Sequence, residues 1–204
     1  MERDHVRSCK QRIEVDILRN RAACLVRIQI VRQHVHAKRL CDAAFGLTDA
    51  AGQVVFETRL KPTVAIGAQA AAVHGISEQA LCGAPSWTDV ARQLRHAIGD
   101  RPVIIFNSRF DIRILKQTAA AHSDPADWLE EMTVYCAMEL AAGYYGATNR
   151  YGTISLACAA SQAGLTWEGQ AHSAIADARM AAGVVNAIAA YHLELLQEQA
   201  RLKI

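Results

Sequence analysis

Long apolar runs and paired cysteines are both missing from this chain. No stretch of eighteen consecutive apolar residues occurs, and the N-terminus has neither a hydrophobic signal core nor a small-residue cleavage site, so we expect a soluble, cytoplasmic protein without a membrane span. The six cysteines form no CxxC pair, which excludes a zinc ribbon. Most of them lie in apolar surroundings, which favours reduced, buried thiols over a disulfide framework.

The chain does contain a large apolar fraction and an uneven distribution of charge. Hydrophobic residues make up 51% of the 204 positions, enough to bury the core of one well-packed domain. Residues 1–40 hold ten Lys and Arg against four acids, a net of +6, whereas residues 41–204 hold twelve against sixteen, a net of −4. Such a bias is typical of a solvated arm or of a nucleic-acid-binding segment. We therefore divide the chain into a basic, atypical segment, 1–39, and a domain, 40–204.

The order of apolar patterns predicts an α/β fold with a mixed sheet covered by helices. A short continuous apolar run at 103–106, bounded by breakers, predicts a strand that is buried on both faces. Alternation of polar and apolar residues, or a short apolar stretch, predicts further strands at 12–18, 24–31, 41–48, 53–60 and 133–136. Helices are expected at 68–74, 78–81, 86–98, 110–121, 137–144, 154–163 and from Ser173 into the 190s.

Two aspartates and one histidine occupy positions that suit a metal-binding or catalytic role. Asp111 follows the strand at 103–106 in the first turn of a helix, and ligands collect at the carboxyl ends of strands in α/β sheets. His172 lies five positions before Asp177. On one helix, this spacing would place the two side chains about 140° apart. His172 must therefore precede the helix that Ser173 caps. That arrangement suits a general base beside a metal-bound carboxylate. Singly, Asp111 also fits an acid favoured by the helix dipole, and His172 an ordinary loop histidine.

Four segments in a fixed order connect these residues to a known family. They are Leu60-Lys61-Pro62 after a strand pair, Val73-His74-Gly75-Ile76, the apolar strand with Asn107 and Phe110-Asp111, and His172-x-Ala-x-x-Asp177-Ala178. Through them, residues 40–190 resemble the DEDDh 3′-to-5′ exonucleases, the superfamily of RNase T and of the proofreading subunits of bacterial replicative polymerases. The resemblance implies an RNase H-like exonuclease fold, with a central mixed β-sheet flanked by helices.

The resemblance also implies an activity, a cofactor and partners. The activity would be removal of terminal nucleotides from 3′ ends of single-stranded DNA or RNA, with Mg²⁺ or Mn²⁺ in a two-metal mechanism. Asp111 and Asp177 would be metal ligands, and His172 would be the general base that deprotonates the attacking water. Nucleic acid is the implied partner, and proofreading and dimeric members add a polymerase and a second copy of the chain. The residues implied to lie along the terminal nucleotide are His74, Gly75, Ile76 and Asn107.

One motif of the family is missing. A strand carrying Asp-x-Glu should precede the strand at 41–48 by a dozen or so residues, but the corresponding stretch, 28–38, contains no acid and is positively charged. Two of the four expected metal ligands are therefore not accounted for. Asp111 and Asp177 alone would neutralise only half of the charge on two divalent ions, so we expect the second ion to be weakly bound or missing.

Three explanations of the missing motif remain open. In the first, Glu14 and Asp16 of the strand predicted at 12–18 supply the two carboxylates in reversed order. In the second, the chain keeps the fold and binds nucleic acid, alone or with a polymerase, but has lost efficient hydrolysis. In the third, residues 1 to about 40 do not belong to the natural product, in line with the abrupt change of composition.

Overall fold

The computed structural model describes residues 24–31, 41–61, 76–77, 79–167 and 173–202. Within these ranges, five strands form one mixed sheet in the order β3-β2-β1-β4-β5. β1 pairs antiparallel with β2 and parallel with β4, while β2–β3 is antiparallel and β4–β5 is parallel. The predicted mixed sheet is confirmed. The strands are β1 Cys24–Val31, β2 Cys41–Thr48, β3 Val54–Arg59, β4 Val103–Ile105 and β5 Val134–Cys136.

Six α-helices and one short 3₁₀ helix accompany the sheet in the described part of the chain. The α-helices are α1 Trp87–Ile98, α2 Ser108–Ala121, α3 Trp128–Glu131, α4 Ala137–Tyr145, α5 Leu156–Gln162 and α6 Ala174–Leu202. The 3₁₀ helix, Gln79–Leu81, lies where a helix was predicted at 78–81. The helix predicted at 68–74 lies outside the described residues, and α3 was not predicted. None of these helices is both long enough and apolar enough to cross a membrane.

Serine caps set the start of three helices. The Ser86 hydroxyl accepts a hydrogen bond from the Asp89 N–H at 3.5 Å and donates one to its carboxylate at 2.9 Å, which fixes the start of α1. Ser155 accepts from the Cys158 N–H at 3.1 Å at the start of α5. Ser173 accepts from the N–H of Ala176 at 3.1 Å, so the predicted cap of the last helix is confirmed.

Helices cover both faces of the sheet. On one face α1 and α2 bury the side chains of Phe45, Trp87 and Ile105. On the other face α4, α5 and α6 pack against Ile104 and Phe106. β4 is therefore buried on both sides, as its continuous apolar run predicts. Each fully buried aliphatic or aromatic side chain of this kind contributes about 1.5–3 kcal/mol relative to an exposed one.

β1 occupies the centre of the sheet, although it lies within the basic segment 1–39. Its backbone pairs with β2 from Leu25 to Val31, and with β4 through Cys24 and Leu25. Residues of the basic segment and of the domain 40–204 thus share one sheet. Where the domain begins stays a prediction, because the strand predicted at 12–18 lies outside the described residues.

Candidate functional site

A sharp turn at Asn107 places Asp111 at the carboxyl end of β4. Asn107 adopts the left-handed conformation, with φ 70° and ψ 55°, which asparagine tolerates better than most residues. Its carbonyl oxygen accepts hydrogen bonds from the N–H groups of Phe110 and Asp111 at 3.0 and 3.3 Å. The chain therefore reverses within two residues of the strand, and Asp111, in the first turn of α2, is only 2% exposed.

Asp177 is held in the first turn of α6, where that helix meets β2. The N–H of Asp177 donates to the carbonyl oxygen of Ser173 at 3.0 Å, and the residue is 3% exposed. A Cβ atom built on Gly46 would lie 2.8 Å from the carbonyl carbon of Ala174 and 2.9 Å from the nitrogen of Ile175. Only glycine at position 46 therefore allows α6 to begin this close to the sheet.

The β2–β3 turn fixes α6 further along its length. Asn186 donates from its side-chain amide to the carbonyl oxygen of Ala50 at 2.7 Å, and Arg179 donates to that of Gly52 at 3.2 Å. The turn itself is closed by the carboxylate of Asp49, which accepts from the N–H groups of Ala51 and Gln53 at 2.9 Å. The first three turns of α6 are thereby tied to the hairpin as one unit.

The two buried aspartates lie on helices that cover opposite faces of the sheet. Asp177 and Ala181 are four residues apart and share a face of α6, and Ala181 packs in the same hydrophobic cluster as Phe106. Phe106 directly follows β4 and precedes Asp111 by five residues. Buried carboxylates in proteins are hydrogen-bonded, paired or metal-bound, because burying an isolated charge is costly. Among the described residues, Asp111 and Asp177 are the buried acids.

Positions 27 and 29 of β1 complete this end of the sheet. Position 27 pairs with Gly46 and position 29 with Ala44, and directly opposed residues of an antiparallel pair share a face. Since α6 begins over Gly46, both positions lie on the face where α6 begins. In the parallel pairing, Leu25 opposes Ile104, so position 27 is level with Phe106 two residues further on. The sequence has Arg27 and Gln29 there, and β1 contains no acid.

The remaining predicted site residues divide into described and undescribed ones. Ile76 is described and is 8% exposed, and Asn107 forms the turn before α2. His74, Gly75 and His172 lie outside the described residues, and so do Glu14 and Asp16.

Arg109 is a charged residue near the site that the sequence patterns did not indicate. Its side chain is 87% exposed, and its Nε lies 3.7 Å from a carboxylate oxygen of Glu139 in the first turn of α4. An exposed pair at this distance contributes little to stability. It does show that the first turns of α2 and α4 lie side by side. In the sequence, the one feature that connects Arg109 with the site is its position two residues before Asp111.

A cluster of aromatic side chains packs beside the middle of α6, between that helix and α4. Tyr144 packs edge-on against Tyr145 and Tyr191, with ring centroids 4.7 and 5.4 Å apart. Burial raises the pKa of Tyr144, and Tyr191 and Glu194 raise it further. Tyr191 follows Asp177 by fourteen residues, about 21 Å along a helix, so the cluster holds the distal part of α6 against α4.

The acids present fit one divalent ion better than two. Within the described ranges, no group of three or more His, Cys, Asp or Glu side chains could hold a metal ion. Mg²⁺ prefers oxygen ligands and is commonly bound by one or two carboxylates together with substrate phosphates. Asp111 and Asp177 match that pattern for a single ion. The four-carboxylate set that two ions would use is not present in the described residues.

Comparisons with known proteins agree with this fold. The family model for RNase T exonucleases matches residues 34–185, a range that begins just after β1. An uncharacterized exonuclease, CP81 of Escherichia phage 186, is 36% identical over 150 residues, which cover 70% of this chain and 77% of the phage protein. DNA polymerase III subunit epsilon of Buchnera aphidicola subsp. Schizaphis graminum is 34% identical over 62 residues, 30% of this chain and 27% of that subunit.

A solved structure shows the same fold. It is the nuclease domain of 3′hExo, a DEDDh family member, bound to rAMP, which aligns with a TM-score of 0.62 and 10% identity over 82% of this chain and 91% of that one. The family match and the fold define an exonuclease domain. The chain belongs to the RNase T exonuclease family, and the predicted resemblance to the DEDDh exonucleases is confirmed. Membership supports nuclease activity on nucleic acids, in a family whose members generally use divalent metal ions.

Proposed function

We propose that the protein is a metal-dependent 3′-to-5′ exonuclease that acts on single-stranded 3′ ends of DNA or RNA. The observation that carries this proposal is the burial of Asp111 and Asp177, at 2% and 3% exposure, in the first turns of α2 and α6. Two such carboxylates would hold Mg²⁺ or Mn²⁺. When bound, the ion supplies a Lewis acid and lowers the pKa of a bound water.

Residues of the chain itself would transfer the proton and position the substrate. His172, which precedes the cap of α6, would accept the proton of the attacking water, because an unperturbed imidazole titrates near neutral pH. The water oxygen forms a bond to phosphorus, and the bond from phosphorus to the 3′ oxygen of the shortened strand breaks. His74, Gly75, Ile76 and Asn107 would position the terminal nucleotide. The turn at Asn107 supports that role, since it lies four residues before Asp111.

A second candidate function is nucleic-acid binding with little or no hydrolysis. Strand β1, which lies at the centre of the sheet and contains no acid, favours this candidate. The similarity to part of a DNA polymerase III epsilon subunit supports association with a polymerase as its setting. A homodimer and a cytoplasmic location also belong to the proposal, and both rest on the sequence alone.

End-labelled oligonucleotides distinguish the two candidates. In Mg²⁺ or Mn²⁺, the exonuclease should release a 3′ label at once and convert a 5′-labelled strand into a ladder of shorter products. Asp177→Asn should abolish both effects, whereas Asp127→Asn, at an exposed acid just before α3, should not. Binding of the strand without any loss of label would support the second candidate. Release of a 5′ label first would contradict the proposed direction.

A further inference from the structure

The solvent side of α2 carries three cations and no acid. Arg109, Arg113 and Lys116 are exposed and follow one another at intervals of four and three residues, so they lie on one face of the helix. The one acid of α2, Asp111, is buried on the opposite side. Residues 41–204 together have a net charge of −4. The three cations, which we call the basic stripe, are therefore a local concentration of positive charge on an acidic body.

Two members of the basic stripe are held by carboxylates on neighbouring helices. The Arg109 Nε lies 3.7 Å from a carboxylate oxygen of Glu139, and the Lys116 Nζ lies 2.5 Å from one of Glu130. Both pairs are largely exposed to solvent, and exposed pairs of this kind contribute little to stability. A phosphate group could therefore replace either carboxylate at little cost.

The middle member of the basic stripe contacts an aromatic ring. The guanidinium of Arg113 lies over the ring of Phe110, 5.3 Å from its centroid. Such a contact positions the guanidinium but does not neutralise its charge. From Arg109 to Lys116 the helix rises about 10 Å, a length over which a stacked strand carries about three phosphates. The spacing of the three cations thus fits a short stretch of nucleic-acid backbone.

The basic stripe begins at the edge of the sheet that Asp111 follows. Arg109 lies in the first turn of α2, directly after β4, and its partner Glu139 lies in the first turn of α4, directly after β5. Because β4 and β5 are parallel neighbours, both helices start from the same edge. The chain must return to the opposite edge before β5 begins, so α2 leads away from Asp111. Lys116 is thus the member of the stripe furthest from that edge.

We infer that the basic stripe binds backbone phosphates of the nucleotides on the 5′ side of the reacting 3′ end. The inference rests on the proposed function and adds to it the path of the strand outside the site. The stripe faces solvent, whereas Asp111 is buried, so it suits phosphates further along the strand and not the reacting one. Arginine also binds phosphate through two parallel N–H···O bonds, which a carboxylate or an aromatic ring does not prevent.

Binding of fluorescent oligothymidylate and oligouridylate in EDTA, measured by anisotropy at several salt concentrations, tests the stripe. Strands of about four and about sixteen nucleotides are compared, which is the range of site sizes known for single-strand binding. For Arg113→Gln/Lys116→Gln, the slope of log affinity against log salt should fall by about 1.4 with the long strand, about 0.7 for each lost phosphate contact. With the short strand the slope should not change, because that strand ends near Arg109.

Arg92→Gln/Arg95→Gln is the matched control, because it removes two exposed cations at the same three-residue spacing from α1. Its slopes should equal those of the wild-type protein with both strands. An unchanged slope in the stripe variant, an equal fall with both strands, or an equal fall in the control would each overturn the inference. Circular dichroism establishes that the variants are folded, as expected because glutamine is a good helix former. If the double variant is not folded, the two single variants replace it, each with half the fall.

The outcome for the stripe is separable from the outcome for the nuclease, because binding is measured without metal. A smaller slope in a protein that hydrolyses no strand would leave this inference standing and remove the proposed nuclease function. Hydrolysis from the 3′ end with an unchanged slope would do the reverse.

Glu139 gives a second, independent measurement. If its carboxylate competes with phosphate for Arg109, Glu139→Gln should tighten binding of the long strand by about two- to fivefold, the range expected for release of a surface ion pair. In an Arg109→Gln background the same substitution should change the affinity much less, since the two residues act as a pair. Equal gains in both backgrounds would contradict phosphate binding by Arg109.

Discussion

Gly46 and Ala174 are in closer contact than any side chain at position 46 would permit. A Cβ atom on Gly46 would lie 2.8 Å from the carbonyl carbon of Ala174, which is backbone and cannot rotate away. The contact presses the first turn of α6 onto β2, three residues before Asp177. The position of Asp177, a candidate metal ligand, therefore depends on the absence of a side chain at position 46 in β2.

Gly46→Ala should both destabilise the protein and impair the site. The added methyl group must displace the start of α6, which we expect to lower the free energy of unfolding by about 1–3 kcal/mol, as for other overpacked sites. Because Asp177 moves with α6, affinity for Mn²⁺ should fall as well. Urea unfolding and metal titration measure the two effects separately.

Gly183→Ala is the matched control for that variant. Its Cβ would meet only the end of the Leu165 side chain, at 3.0 Å, and that side chain can adjust. Alanine also favours the helix interior by roughly 1 kcal/mol over glycine. We expect unchanged or increased stability and unchanged metal binding. Equal losses in both variants would contradict the role assigned to the Gly46–Ala174 contact.

Asp111→Asn and Asp177→Asn should remove activity without unfolding the protein. If these carboxylates hold the ion, several kcal/mol of transition-state stabilisation are lost, and each 1.4 kcal/mol is a factor of ten, so the rate should fall about a thousandfold or more. Stability should be retained, because the neutral amide has nearly the same shape and is less costly to bury. Nuclease rate and thermal midpoint are measured together. A variant that keeps its rate would exclude that residue as a ligand.

His172→Ala should lower the turnover number by about 10²–10⁴-fold and leave Mn²⁺ binding unchanged, as expected for loss of a general base. The wild-type rate should fall at acid pH as the imidazole becomes protonated, near the ordinary histidine pKa of about 6.5. That acid limb should disappear in the variant. A pH–rate profile with the same acid limb in both proteins would assign the proton transfer to another group.

Asp124→Ala should destabilise the protein through Trp87 and not through the site. The Trp87 indole N–H, in a side chain with no exposed surface, donates to Asp124 Oδ2 at 2.7 Å. Leaving that donor unsatisfied should cost about 1–3 kcal/mol. Asp124→Asn keeps an acceptor oxygen and should cost less. Denaturant unfolding gives both values, and a loss of Mn²⁺ affinity in either folded variant would show that the site depends on this bond.

Local patterns were sufficient to predict most of the secondary structure. β1, β2 and β4, the cap at Ser86 and the cap at Ser173 follow from alternation, apolar runs and capping residues, and all are confirmed. α3 was missed because four residues, Trp128–Glu131, are too few to show a helical period. The site residues assigned by resemblance stay predictions, although Asp111 and Asp177 are both buried.

The sequence by itself determined the α/β class, the family, and the two carboxylates that follow a buried strand and open the last helix. These depend on residues that are close together along the chain. Only the tertiary structure decided that β1 stands between β2 and β4 and that Gly46 admits α6. Strand register is set by hydrogen bonds between distant segments, and a shift of one residue would move every side chain to the other face. No local pattern in β1 or β2 could therefore show that these strands are neighbours or that α6 begins over Gly46.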